Sequence, residues 1–172
     1  IKEMSNLEED IINCPACKKE MKKIYLPDQK TVIDVCTEGC GGIYLDNREY
    51  KKIDEKAENI EPILEALKDK TFIDTDGEET RICPVCGTRM VKNYTSHLKK
   101  IKIDECYNCG GKFLDKSELI KIRDEFNTEE ERIGAFNEYA KELLGDTIAP
   151  SDKKTKTPVI AGILQKIAGR FL

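Results

Sequence analysis

The eight cysteines of this 172-residue chain are the residues whose type and spacing carry chemistry. They form four close pairs: CPAC at 14–17, CTEGC at 36–40, CPVC at 83–86 and CYNC at 106–109. A deprotonated cysteine is a soft ligand, and four thiolates around one point meet the tetrahedral preference of Zn²⁺, with Zn–S bonds of about 2.3 Å. Between Cys86 and Cys106 lie 19 residues, inside the 15 to 20 that separate two CxxC pairs in a four-cysteine zinc site. Between Cys17 and Cys36 lie 18, and the pair Cys36/Cys40 is CxxxC, one residue looser but within the spacing that structural zinc tolerates. The spacing therefore predicts two zinc ions per chain, one held by Cys14, Cys17, Cys36 and Cys40 and the other by Cys83, Cys86, Cys106 and Cys109. Iron in an all-cysteine site is the rival, and colour separates the two, because ferric thiolate absorbs and zinc does not. Disulfides fit an even cysteine count but need an oxidising compartment, and a redox CxxC needs a βαβ setting that the sequence lacks.

The two cysteine sets are copies of one module. An offset of 69 residues carries Cys14, Cys17, Met21, Tyr25, Cys40, Gly41, Gly42, Leu45, Asp46, Glu49 and Ile53 onto Cys83, Cys86, Met90, Tyr94, Cys109, Gly110, Gly111, Leu114, Asp115, Glu118 and Ile122. Cys36 and Asp34 match Cys106 and Asp104 only after a one-residue shift, so the second knuckle of the first copy should differ in local shape. The glycine pairs after the last ligand suit a sharp turn in which backbone N–H groups face the sulfurs and a positive φ is permitted.

The elements that must position these ligands follow from the pattern. Each CPxC knuckle leads into an alternating stretch that reads as a β-hairpin, turning near Pro27-Asp28 in one copy and Ser96-His97 in the other. In the second hairpin Ile101 and Ile103 alternate with Lys100, Lys102 and Asp104, as on a half-exposed strand. Asp46 with Glu49, and Asp115 with Glu118, have capping-box spacing. A helix is expected from Asp46 through Tyr50, Ile53 and Ala57, with a break at Pro62, and another over 61–70 with Ile63, Leu64 and Leu67 on one face. After Asp115, Leu119, Ile122 and Phe126 mark a helix, and Thr128 with Glu131 starts a further one. Its apolar stripe is Ile133, Phe136, Tyr139, Ala140, Leu143 and Leu144, and Gly145 is placed to stop it. These stripes are expected to pack as core. His97, the sole histidine, is expected to be a surface turn residue.

Composition limits what these elements can build. Two units of about 60 residues are each marginal on an apolar core alone, and 6% aromatics with 36% charged residues leave little core material. Metal is the expected supplement, in a modular and elongated protein. The net charge of −4 argues against indiscriminate nucleic-acid binding. It is unevenly spread, however: 81–125 carries +4, 8–56 carries −2 and 57–80 carries −6. The segment IKEMSNLEED lacks the apolar run of an export signal, so reduced thiols and a cytoplasmic location are expected.

Residues 145–158 are rich in turn formers and charge and read as a flexible tether. Beyond it, PVIAGILQKIAGRFL places Val159, Ile160, Ile163, Leu164, Ile167, Phe171 and Leu172 on one helical face. Its 15 residues are too few to span a bilayer, which takes about 20. Such a tail can dock on this chain or its dimer mate, on another protein's groove, or on a membrane surface.

The run CPVC, hairpin, CYNCGGKFLDKSEL resembles the transcription-factor-IIB-type zinc-ribbon family of small prokaryotic proteins. The first copy, CPAC then CTEGCGGIYLDNREY, departs from it in the CxxxC knuckle and at Tyr50. The resemblance implies zinc and leaves function open, because ribbons of this type serve transcription factors, ribosomal proteins and adaptors alike. The expected architecture is a small, metal-stabilised α+β chain with two four-cysteine zinc ribbons, each a β-hairpin with zinc knuckles followed by α-helices. Its parts are ribbon one with helices at 8–70, a linker at 71–80, ribbon two with helices at 81–144, a flexible linker at 145–157 and an amphipathic tail helix at 158–172. No catalytic residue and no small-molecule substrate are expected, since a closed four-thiolate site has no open position. Two functions compete. One is an adaptor that docks a protein partner, a second copy or a membrane surface through the tail. The other is a nucleic-acid-binding regulator that uses Lys92, Tyr94, Lys99, Lys100 and Lys102 of the basic hairpin.

Overall fold

A computed structural model describes residues 11–144. The expected tether after residue 144 and the expected docking residues Val159, Ile160, Ile163, Leu164, Ile167, Phe171 and Leu172 lie outside the described residues, as does Gly145. Each copy contributes three strands: β1 (Lys22–Leu26), β2 (Thr31–Val35) and β3 (Ile43–Leu45) from the first, β4 (Val91–Tyr94), β5 (Lys102–Glu105) and β6 (Lys112–Leu114) from the second. They do not form separate sheets. β3 pairs antiparallel with β6, giving one six-stranded sheet in the order β1-β2-β3-β6-β5-β4. The junction aligns Ile43 with Leu114, Tyr44 with Phe113 and Leu45 with Lys112. The expectation of separate modules therefore gives way to two ribbons side by side in one sheet. Burial explains it: three-residue strands with the patterns Ile-Tyr-Leu and Lys-Phe-Leu bury almost every side chain, which a lone ribbon's edge would leave wet.

Side-chain alternation divides the core in two. Ile43, Leu45 and Leu114 join Ile24, Leu26, Ile33, Val35 and Ile103 in one cluster, together with Ile53, Ile60 and Ile63 of the first copy and Leu119 and Ile122 of the second. Tyr44 and Phe113, the intervening residues, join the cysteines, Met21 and Met90 in the other. The period of two in β3 and β6 thus sends one face to the aliphatic core and the other to the metal ligands.

The helices depart from expectation in three places. After Asp46 the chain makes only a short 3-10 turn, Tyr50–Lys52, instead of a helix through Ala57. Arg123 explains why: its guanidinium donates to the carbonyls of Ile53 (2.6 Å), Lys56 (3.1 Å) and Glu58 (2.6 Å), groups that a helix would have used internally. α1 (Glu61–Leu67) starts with Pro62 in its first turn and buries Ile63, while Leu64 faces solvent rather than sharing that face. α2 (Glu118–Glu125) buries Leu119 and Ile122 as predicted, and Phe126 just beyond it is also buried.

In α3 (Glu129–Leu144) the buried face holds Arg132, Phe136 and Ala140, whereas Ile133 and Leu143 of the expected stripe are exposed. The helix is rotated by a polar anchor, Arg132 to the buried Asp54 at 2.7 Å. His97 is likewise no plain surface residue. Its ring lies 5.2 Å from that of Tyr139 and 6.1 Å from that of Phe126, so it fastens the second hairpin's tip to α3.

Candidate metal centres

The ligands come together as two groups of four, Cys14/Cys17/Cys36/Cys40 and Cys83/Cys86/Cys106/Cys109, with all sulfurs of a group within 4.8 Å of one another. In each group a residue of the first knuckle faces one of the second. The Sγ–Sγ distances are 3.4 Å for Cys14–Cys40 and for Cys17–Cys36, 3.6 Å for Cys83–Cys109 and 3.4 Å for Cys86–Cys106. No disulfide joins them. A tetrahedron with Zn–S bonds of about 2.3 Å has edges of about 3.8 Å, so a zinc ion fits each group after small adjustments. Cys14, Cys36, Cys40, Cys83 and Cys106 are buried, and Cys17, Cys86 and Cys109 are partly exposed.

The knuckles are built to stabilise sulfur charge. Isolated bridges, Asn13 with Glu20 and Ile82 with Arg89, close the first knuckle of each copy. Backbone N–H groups reach the sulfurs: Cys17 to Cys14, Cys40 to Cys36 and Gly42 to Cys40 in the first site, Thr88 to Cys86 and both Asn108 and Cys109 to Cys106 in the second. The Thr88 side chain, followed by Asn108, holds the Cys86 thiol down at about 5.

The glycine pairs do two different jobs. Gly41 and Gly110 have φ of +76° and +79°, the turn conformation expected of them. Gly42 and Gly111 instead make room across the junction. A methyl group on Gly42 would come within 2.8 Å of Phe113 Cε2, and one on Gly111 within 2.7 Å of Tyr44 Cζ. Each ribbon thus presses one aromatic ring onto the glycine beside the other ribbon's last ligand.

Gly39, which the motif reading passed over, is explained by the CxxxC knuckle. A Cβ there would lie 2.5 Å from Cys17 Sγ and 2.7 Å from Cys36 Sγ, so the longer loop closes only if its third spacer residue has no side chain. Gly39→Ala is expected to release zinc from the first site and leave the second loaded. Metal content measured after dialysis against a weak chelator checks it, and two zinc ions retained per chain would sink it.

The supporting acids and bases also pair across the repeat. Glu49 and Glu118 accept from the amides of Asp46 (2.8 Å) and Asp115 (2.6 Å), which is the backbone half of the expected capping boxes. Burial pushes both carboxyls up to about 7, and those amide bonds offset it only in part. Asp34 and Asp104 occupy matching places. Lys23 pairs with the first at 3.0 Å, and Lys92 with the second at 2.9 Å. Asp104 was expected to face solvent with Lys102, but it is buried because Arg81 enters beside it at 2.6 Å. Arg81 stands where the first copy has Ile12, a difference at the 69-residue offset that could have flagged it.

Of the residues proposed for nucleic acid, Lys92 is engaged with Asp104. Lys102 lies over the Tyr94 ring at 5.7 Å and 3.5 Å from Glu78, and Lys99 and Lys100 are exposed. An open cleft of about 320 Å³ brings all five of these residues, Lys92, Tyr94, Lys99, Lys100 and Lys102, together with Lys121, and Glu78, Asp115 and Glu118 line it too. None of the described helices is long and apolar enough to cross a membrane.

Comparison with protein families gives a match to the TFIIB-type zinc ribbon, described as a transcription factor zinc-finger, at residues 13–56 and again at 82–125. The two matches take up about half of the chain and contain all eight cysteines. Comparisons with curated proteins and with solved structures returned no match.

Proposed function

Because the chain belongs to the TFIIB-type zinc-ribbon family, with two ribbons in tandem, we propose that it is a non-enzymatic adaptor: a zinc-built scaffold that presents a C-terminal docking segment. The observation that carries this reading is the closure of both sites. Four thiolates per group satisfy a tetrahedral ion and leave no position for water or substrate, so the metal serves structure. The scaffold is also continuous, since the sheet passes from one ribbon into the other through β3 and β6. What remains for recognition is surface and tail. The sequence supplies a strongly amphipathic stretch there, Val159, Ile160, Ile163, Leu164, Ile167, Phe171 and Leu172, behind a polar tether.

The nucleic-acid reading has less support. Lys92, Lys102 and Lys112 of the basic copy already face Asp104, Glu78 and Glu105, and cations spent in this way release few counterions on binding phosphate. Affinity recovery from the native cell, with and without residues 158–172 and with nuclease treatment, tests the proposal. A protein partner lost on truncation and insensitive to nuclease is the expected result. A partner list unchanged by truncation overturns it, recovery that disappears with nuclease favours the regulator, and recovery only with lipid vesicles assigns the tail to a membrane surface.

A further inference from the structure

The two metal centres are not equivalent, and the difference comes from the neighbouring ribbon. Tyr44 belongs to the first ribbon, yet its hydroxyl lies 3.3 Å from Cys83 Sγ and 3.8 Å from Cys109 Sγ, both ligands of the second site. The ring is 2% exposed and is held by the junction register, opposite Phe113. Its tip rests on Gly111, where any side chain would displace it. At the matching position of the repeat stands Phe113, whose ring rests on Gly42 beside the first site and has no hydroxyl to offer.

We infer that Tyr44 is a positioning residue for the second zinc site, supplied by the first ribbon, and that it makes zinc retention there depend on the docking of the two ribbons. A zinc-bound thiolate has no proton, so the Tyr44 hydroxyl is the donor, and its single proton points chiefly at Cys83 (3.3 Å), with Cys109 (3.8 Å) as the weaker branch of a shared bond. Hydrogen bonds to ligating sulfur orient the ligand and disperse its charge, and their removal typically lowers metal affinity about 10- to 100-fold. The coupling is reciprocal: whatever factor Tyr44 adds to zinc affinity, zinc returns to the β3–β6 junction. Among the described residues the first site has no matching hydroxyl from the other ribbon, because Phe113 contributes packing alone. This inference stands on the zinc sites and is independent of what the adaptor binds.

The test uses the full chain loaded with two cadmium ions, which give one NMR resonance per site. Thr88→Ala identifies the second-site resonance, because the Thr88 side chain hydrogen-bonds Cys86. In Tyr44→Phe the second-site signal is expected to shift and to be lost to a competing chelator at about 10- to 100-fold lower chelator concentration, with the first site unchanged. Equal weakening of both sites, or wild-type retention at both, overturns the inference. Tyr44→Leu separates hydroxyl from ring: if only the Leu variant weakens the second site, packing is responsible and the hydroxyl has no such role.

Discussion

Stripping zinc from this chain is expected to unfold it, rather than leave a folded protein with two vacant clusters. The metal-side core consists of ligands and of residues packed on them: Cys14, Cys36, Cys40, Cys83 and Cys106 with Met21, Met90, Tyr44 and Phe113. Without metal, sulfurs 3.4–3.6 Å apart must either repel as thiolates or take up protons inside a buried cluster. Structural zinc contributes apparent binding free energies of about 10–16 kcal/mol per site. A domain's whole stability is about 5–15 kcal/mol. The aliphatic core cannot make up the loss, because it spans both ribbons through β3 and β6, the strands that carry Tyr44 and Phe113. Far-UV circular dichroism during titration with a strong chelator should show loss of sheet signal together with metal release, reversed by added zinc. A cooperative thermal transition surviving in metal-free protein would disprove this account.

The second large effect concerns Arg81. It is 2% exposed and bonds Asp104 at 2.6 Å, Asp115 at 2.7 Å and the Asp76 carbonyl at 3.3 Å, while lying 4.9 Å over the Phe113 ring. Burial alone would lower its pKa, but Asp115 and Asp104 outweigh that and hold it above the ordinary arginine value. Removing one member of a buried pair leaves the other charge uncompensated, at a cost of about 3–5 kcal/mol. Arg81→Ala is therefore expected to lose about 3 kcal/mol, the lower end of that range, in urea unfolding of the zinc-loaded chain, because Lys92 at 2.9 Å still partly neutralises Asp104. Asp104→Asn in the same chain should recover part of it, because the stranded charge is then gone. If Arg81→Ala costs less than about 1 kcal/mol, or the second change deepens the loss, the network is not an ionic keystone.

The metal ligands were legible in the sequence because ligation imposes spacing: four pairs, a fixed offset and a glycine pair after each last ligand leave few alternatives. Cys36/Cys40 announced its irregularity, although the need for Gly39 emerged only with the sulfur positions. The hairpins were legible for a similar reason, since alternation over five residues reports a half-buried strand. The junction was not. β3 and β6 are three residues long, too short for periodicity to speak, and their pairing depends on surfaces distant in sequence. The false helix after Asp46 had a sound local signal that a tertiary donor, Arg123, overrode. α3 likewise obeyed the Arg132–Asp54 bond in place of its full apolar count. Long polar side chains that reach across a fold leave almost no local trace.

The register of the central strands, with Tyr44 opposite its counterpart Phe113, Ile43 opposite Leu114, the counterpart of Leu45, and Leu45 opposite Lys112, the counterpart of Ile43, is that of a two-fold axis passing between the aromatic rings. A lone ribbon with this edge would satisfy the same register by meeting an identical subunit, as in a symmetric homodimer. Joining two such subunits in one polypeptide keeps the partner at high local concentration and lifts the requirement that both halves share a sequence. Tyr against Phe, Ile12 against Arg81 and the five-residue knuckle against the four-residue one are asymmetries that no homodimer can encode. Carrying both halves in one chain thus leaves each side of the interface able to specialise.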